Sequence, residues 1–136
     1  MPNLGCLVGT AYQTMVSDLS KRLRDSSLGI TGSEYLVLRA LYTRDGMQQC
    51  EIAEMIGKDK GAVCRTVKSL EDKLFVRTEP VSYKCLRVYL TDKGREAKSE
   101  VMEIARERHS SLAGLLTPEE LAIFEQTLRK IIQHTL

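Results

Sequence analysis

The sequence has no tryptophan, and only two phenylalanines and three prolines among 136 residues. A core without large aromatic side chains must be built mainly from Leu, Ile, Val, Met and Ala, which favours helices. No apolar run approaches the roughly 20 residues of a membrane span, and the first residues lack the basic and apolar segments of a secretory leader. We therefore expect a cytoplasmic protein with no membrane partner.

Metal-binding and catalytic patterns are also missing. The chain has no Cys-x-x-Cys motif, no Gly-rich phosphate loop and no nucleophile with a patterned histidine partner. These absences predict a protein that is not an enzyme and has no metal and no cofactor, with thiols kept reduced. The cysteines and histidines are widely spaced, at Cys6, Cys50, Cys64, Cys85, His109 and His134.

Positive charge is concentrated in one segment, although the net charge is only +2. Residues 58–95 contain ten basic and five acidic side chains, and the rest of the chain is mildly acidic. Phosphate contacts require Lys and Arg on one surface, so this distribution is typical of a nucleic-acid-binding face. A solvated charged face is the other interpretation, and charge alone does not separate the two.

Apolar spacing predicts two helices before this segment. Steps of three and four place one apolar stripe on a helix from about Asn3 to Arg24. Thr31 and Glu34 have the spacing of a capping box, which starts a second helix ending near Thr43.

Residues 47–74 are interpreted as a helix-turn-helix, with Gly57 supplying the positive φ of the turn. Strand-like residues 77–79 and 86–90 then flank a basic tip, which predicts a β-hairpin wing. A long helix follows from residues 91–94, and Thr117-Pro118 with Glu120 starts a last helix.

The ordered motifs resemble the MarR family of bacterial regulators. The similar segments are Ile30-Thr31 with Tyr35, Leu38 and Leu41, then residues 51–57 and 63–71, and Leu90-Thr91-Asp92-Lys93-Gly94. The resemblance implies a mainly α fold, a winged helix-turn-helix with a small hairpin wing, whose N- and C-terminal helices form a dimerisation domain. Residues 31–95 are expected to form the DNA-binding lobe, and residues 1–30 and 96–136 the dimerisation region.

Two positions depart from the family pattern. Leu74 stands where the family usually has glycine after the recognition helix, so the cap is made another way or the helix runs on. Ser82-Tyr83-Lys84 stands where the family's wing tip carries Asp-Arg-Arg, which leaves one basic residue at the tip.

A recognition helix in the major groove predicts roles for individual residues. Arg65 is expected to read a base, while small Gly61 and Ala62 allow the helix to approach. Phosphate and wing contacts are expected from Lys58, Lys60, Lys68, Tyr83, Lys84 and Arg87. An exposed solubilising charge is the alternative for each lysine.

Three functions stay open. The first is a homodimeric repressor on a pseudo-palindromic operator in double-stranded DNA, released, as the resemblance implies, by a small-molecule effector between the DNA-binding lobe and the dimer helices. The second is a redox-sensing regulator acting through Cys6, which lies near the position of the reactive cysteine of the family's hydroperoxide sensors. The third is a winged-helix protein-interaction module, which would not need the basic segment.

Overall fold

The structure is a computed structural model that describes residues 3–134. Seven helices and three short strands are found in this range, which confirms the mainly α class with a small wing. The elements are α1 (Leu4–Asp25), α2 (Gly32–Thr43), β1 (Met47–Gln48), α3 (Gln49–Ile56), α4 (Lys60–Asp72), β2 (Val76–Ser82), β3 (Cys85–Leu90), α5 (Asp92–Glu96), α6 (Lys98–Ala113) and α7 (Pro118–His134).

The predicted helix starts are present. Thr31 Oγ1 accepts a hydrogen bond from the Glu34 backbone N–H, and the Glu34 carboxylate accepts one from the Thr31 N–H. The same reciprocal pair joins Thr117 and Glu120 at the start of α7. Each pair satisfies backbone donors that have no partner inside a helix, so both capping boxes are confirmed.

The helix-turn-helix consists of α3 and α4, and its turn is the one that the sequence predicts. Gly57 has a φ of +69°, in the left-handed region that glycine adopts without a steric penalty. Asp59 then caps α4 by accepting the Ala62 N–H at 2.7 Å. Inward-facing Val63, Val67 and Leu70 are buried in the core.

Leu74 ends α4 in an unusual conformation. Its φ is +69°, the left-handed region that a residue with a Cβ enters at a steric cost. The Leu74 N–H donates to Glu71 O and the Phe75 N–H to Leu70 O, the paired bonds of a Schellman motif. The helix therefore does not run on, and leucine takes the place of the usual glycine.

The small sheet has the strand order β1-β3-β2 and is antiparallel. The wing strands are longer than predicted, since β2 extends to Ser82 and β3 begins at Cys85, so only Tyr83 and Lys84 form the turn. Strand β1 was not predicted, because its two residues pair with β3 far along the chain: Met47 opposes Val88 and Gln48 opposes Arg87.

The predicted long helix after the wing is wrong in one respect. It is interrupted at Ala97, which lies between the two helices with φ −71° and ψ −16°, so α5 and α6 are separate. Gly94 in α5 packs directly on the chain after α4: a Cβ built there would lie 2.2 Å from Phe75 O.

Backbone contacts divide the chain into two compact units, residues 1–104 and 105–136. The first unit contains the buried core, which includes Leu23, Leu38, Leu41, Ile52 and Phe75. The second contains the end of α6 and all of α7, which presents exposed Ile123 and Phe124. The assignment of residues 1–30 and 96–136 to dimerisation stays a prediction.

Candidate nucleic-acid interface

Helix α4 presents one polar face to solvent. Its buried side chains recur at steps of four and three, so the opposite face is formed by exposed Gly61, Cys64, Arg65 and Lys68. Lys58, in the turn, and Lys60, the first helical residue, are exposed at the end where α4 begins. The residues predicted from 58 to 68 therefore lie together on one surface, which we call the α4 face.

The start of α4 is compact enough to let other groups approach. Gly61 carries no side chain, and a Cβ added there would lie 3.4 Å from Arg65 Nη1 and 3.3 Å from Asp59 Oδ1. The Arg65 guanidinium thus folds back along the helix toward its first turn. Half-buried Ala62 adds little bulk beside it.

Internal contacts separate the ten basic side chains of residues 58–95 into two groups of five. Lys58, Lys60, Arg65, Lys68 and Lys84 have no ion pair or hydrogen bond to another side chain or to the backbone within residues 3–134. The other five have partners within the chain: Lys73 contacts Glu34, Arg77 contacts Glu79 and the Tyr89 ring, Arg87 donates to Gly46 O, Lys93 donates to Lys73 O, and Arg95 contacts Asp92 and Leu90 O.

The wing tip is a two-residue turn with an aromatic and a basic side chain. Tyr83 is 94% exposed, and Lys84 Nζ lies 5.7 Å from the centre of its ring. Arg87 is not at the tip, because its Nη1 donates to Gly46 O at 2.7 Å and ties β3 to the turn before β1. The predicted wing residues therefore fall into an exposed pair and one arginine held against the fold.

A buried ion pair positions α4 on α2. Glu34 is 2% exposed, and its carboxylate accepts hydrogen bonds from Lys73 Nζ at 2.7 Å and Ser69 Oγ at 3.0 Å. Burial alone would raise the pKa of Glu34. The bonds from Lys73, the Thr31 N–H and Ser69, with the charge of Lys73, outweigh it and hold that pKa below its ordinary value.

Sequence reasoning missed this pair. Glu34 was predicted as the third residue of a capping box, which is correct, but its other oxygen reaches Ser69 from a distant helix. Lys73 was counted with the basic segment and instead holds Glu34 and Gly29 O. No local pattern indicates such a contact, because its partners lie 39 residues apart.

The predicted redox residue, Cys6, is exposed on α1 and lines an open groove with Tyr12. The tyrosines of α2 do not face this groove but are engaged with the core. Tyr35 is buried, and the Tyr42 hydroxyl donates to Gly94 O at 2.8 Å, while burial raises the pKa of Tyr42 to about 12. The redox role of Cys6 stays a prediction.

Residues 3–134 contain neither a metal-ligand cluster nor a membrane-spanning helix. No cluster of three or more His, Cys, Asp or Glu side chains in this range could hold a metal ion. None of its helices is both long and apolar enough to cross a membrane.

Known proteins are similar to this chain in sequence and in architecture. A model of the MarR family matches residues 28–82, from the loop before α2 to the end of β2. The uncharacterized HTH-type transcriptional regulator YdgJ of Bacillus subtilis strain 168 is 31% identical over 108 residues, which cover 77% of this chain and 66% of YdgJ. The chain belongs to the MarR family.

Solved structures agree with this assignment. The Staphylococcus aureus MepR–DNA complex superposes on this MarR-family chain with a TM-score of 0.88 over all of both chains, at 20% identity. Bordetella bronchiseptica BpsR, whose DNA binding is regulated by 6-hydroxynicotinic acid, has a TM-score of 0.84 and 25% identity over 94% of this chain and 97% of BpsR. This MarR-family protein is thus a transcriptional regulator with a winged-helix fold.

Proposed function

We propose that the protein is a cytoplasmic homodimeric repressor that binds a pseudo-palindromic DNA duplex through its α4 face and is released by a small ligand. The observation that carries this proposal is the division of the basic side chains. Those at the start and on the outer face of α4 and at the wing tip are exposed and have no ion pair or hydrogen bond within residues 3–134, while those elsewhere in the segment have such partners. Side chains left free in this way are available to phosphates and bases.

Arg65 is the base-reading residue in this proposal. It lies in the first half of α4, the part of a recognition helix that meets base edges in the major groove. Its guanidinium can donate two hydrogen bonds to the acceptors of a guanine. Lys58, Lys60 and Lys68 flank it and neutralise phosphates, which position the helix without reading sequence.

The wing makes a smaller contribution. Lys84 can neutralise a phosphate or enter a narrow minor groove, and exposed Tyr83 beside it can pack on the sugar-phosphate backbone. Arg87 supports the base of the wing through Gly46 rather than reaching DNA from this position. The wing therefore adds affinity more than specificity.

The homodimer is supported by apolar side chains that each compact unit leaves in solvent. On α1, Leu4 and Leu7 are 73% and 56% exposed, and on α7, Ile123 is 63% exposed. Clustered apolar surface of this kind marks an interface. We propose that a second copy of the chain covers this apolar surface, because a two-fold symmetric dimer also places two α4 helices in successive major grooves of a symmetric DNA site.

Release by a small ligand is supported by the relationship to BpsR, whose DNA binding responds to 6-hydroxynicotinic acid. A winged-helix module that binds only proteins is the second candidate, since the fold alone does not require DNA. The unpartnered basic face of α4 favours the DNA-binding role, because a protein-interaction module has no use for it.

Selection of bound duplexes from a random library tests the proposal. We expect an inverted repeat with half-sites about one helical turn apart, and binding that weakens steeply as salt is raised. The matched control is a Lys58→Gln/Lys60→Gln/Lys68→Gln variant, which removes charge from exposed positions and should bind all duplexes weakly. Absence of an enriched sequence, with equal weak binding by both proteins, contradicts the proposal.

A further inference from the structure

Two of the four thiols lie side by side next to the turn of the wing. Cys50 is in the first turn of α3, and Cys85 begins β3. Both thiols donate to one acceptor, Gln48 Oε1, with Sγ–O distances of 3.5 Å from Cys50 and 2.8 Å from Cys85. The two sulfurs therefore converge on a single amide oxygen.

The register of the sheet explains why they meet. Gln48 opposes Arg87 in the ladder between β1 and β3. Two further steps along the same ladder would set Cys50 opposite Cys85, although the chain turns into α3 at Gln49. Directly opposed residues of an antiparallel ladder have Cβ atoms about 4.5–5.5 Å apart, close to the separation that a disulfide needs.

The two thiols differ in how readily each reacts first with an oxidant. Both are half-buried, so small oxidants reach them, while Cys6 and Cys64 are exposed on other elements. Burial is the main cause that raises the pKa of Cys85, and the neighbouring Cys50 sulfur raises it further through its negative charge when ionised and through a hydrogen bond. The Cys85 thiol also donates the shorter hydrogen bond to Gln48 Oε1, so its proton is held more firmly and the first attack falls to Cys50.

We propose that Cys50 and Cys85 form a reversible intrachain disulfide when the protein meets an organic or inorganic hydroperoxide. The Cys50 sulfur, as thiolate, attacks the terminal peroxide oxygen, the O–O bond breaks, and the alcohol or water leaves with a proton. The Cys85 sulfur then attacks the Cys50 sulfenic acid, the S–O bond breaks, and water leaves with the Cys85 proton. Two thiols are oxidised by two electrons, and the peroxide is reduced by two.

The disulfide would act on the wing. Cys85 pairs with Ser82 and closes the turn that carries Tyr83 and Lys84. A covalent bond to Cys50 tethers this turn to α3 and takes both thiols away from Gln48. If the proposed DNA-binding function is correct, on which this step rests, the oxidised protein binds its operator less tightly because the wing is held in one position.

The chemical step is tested on the full chain carrying Cys6→Ser and Cys64→Ser, which leaves only the proposed pair. Cumene hydroperoxide should remove both free thiols and give one linked peptide containing residues 50 and 85, and dithiothreitol should reverse it. Adding Cys85→Ser should abolish the link and leave a Cys50 sulfenic acid that dimedone traps. If Cys50 and Cys85 can still be alkylated after peroxide treatment, the proposal is wrong. Oxidation of Cys6 or Cys64 alone in the wild-type protein would have the same meaning.

The consequence is tested by fluorescence anisotropy on the duplex selected from the random library. The oxidised pair-only protein should bind about threefold or more weakly, as expected for loss of a wing contact, and recover with dithiothreitol, while an added Cys50→Ser should remove the peroxide response. A linked peptide with unchanged affinity overturns the effect on the wing. Failure of the reduced wild-type protein to bind any duplex overturns the proposed function, while the peptide map still decides the disulfide.

Discussion

Lys73 Nζ donates to the buried carboxylate of Glu34 over 2.7 Å, and so joins the end of α4 to the start of α2. Replacing Lys73 by Met leaves the Glu34 carboxylate buried without the hydrogen bond and the opposite charge that Lys73 supplies. Since Lys73 is itself 36% exposed, we expect a loss of about 1–2 kcal/mol in the free energy of unfolding. Urea denaturation at neutral pH measures it.

The effect should also depend on pH. The pKa of Glu34 is lowered in the fold, so its contribution is complete above the ordinary value of 4.5 and is lost as the pH falls through the folded value. The difference between wild type and Lys73→Met should therefore shrink on acidification. Lys68→Met, at an exposed position on the same helix, is the control and should change stability by less than about 0.5 kcal/mol at any pH.

Leu74→Gly should stabilise the protein. Leucine occupies a φ of +69°, and glycine removes the steric cost of that conformation at a Schellman cap. The expected gain is about 1 kcal/mol, partly offset by the greater freedom of glycine in the unfolded chain. Leu74→Ala keeps a Cβ and should give no such gain. A lower melting temperature for the glycine variant would contradict the assignment of strain.

Gly94→Ala should destabilise the protein by about 3 kcal/mol, because the new Cβ meets the backbone oxygen of Phe75, which cannot move without shifting the end of α4. Gly9→Ala is the matched control. It lies inside α1 with nothing within 4 Å of the new Cβ and should gain about 0.5–1 kcal/mol in helix stability. Thermal unfolding of both variants decides the sign of each effect.

Arg65→Ala and Lys84→Ala should weaken DNA binding in different ways. Loss of a base-reading arginine costs about 1–3 kcal/mol on the operator and flattens the preference for one base pair per half-site. Loss of Lys84 should weaken all duplexes alike and lower the salt slope by about one per protomer. Titrations on operator and scrambled DNA at several salt concentrations separate them. Equal weakening on both duplexes by Arg65→Ala would make Arg65 a backbone contact.

Leu7→Glu should dissociate the proposed homodimer, because it places a charge on the exposed apolar face of α1 without touching the core. Val81→Glu, at a 49% exposed position on the wing, is the control and should leave the association unchanged. Sedimentation equilibrium measures both, with circular dichroism to show that each variant is folded. A wild-type protein that sediments as a folded monomer at micromolar concentration removes the dimer.

How much of the fold can be predicted from the sequence depends on how far apart along the chain the interacting residues lie. The capping boxes at Thr31 and Thr117 and the turn at Gly57 depend on residues three positions apart or on one backbone angle. Such local chemistry is written directly in the residue order. The face of α4 was also predictable, since helical periodicity sets which side chains point away from the core.

Other features were decided by contacts between distant segments. Strand β1 exists because two residues find partners on β3, and Gln48 of this strand accepts hydrogen bonds from the thiols of both Cys50 and Cys85. The sequence alone established a charged segment after residue 57. Only the tertiary structure decided which of these charged side chains have a partner within the chain. Lys73 and Arg87 contact the fold because the tertiary structure brings Glu34 and Gly46 O, both hydrogen-bond acceptors, within reach of their side chains.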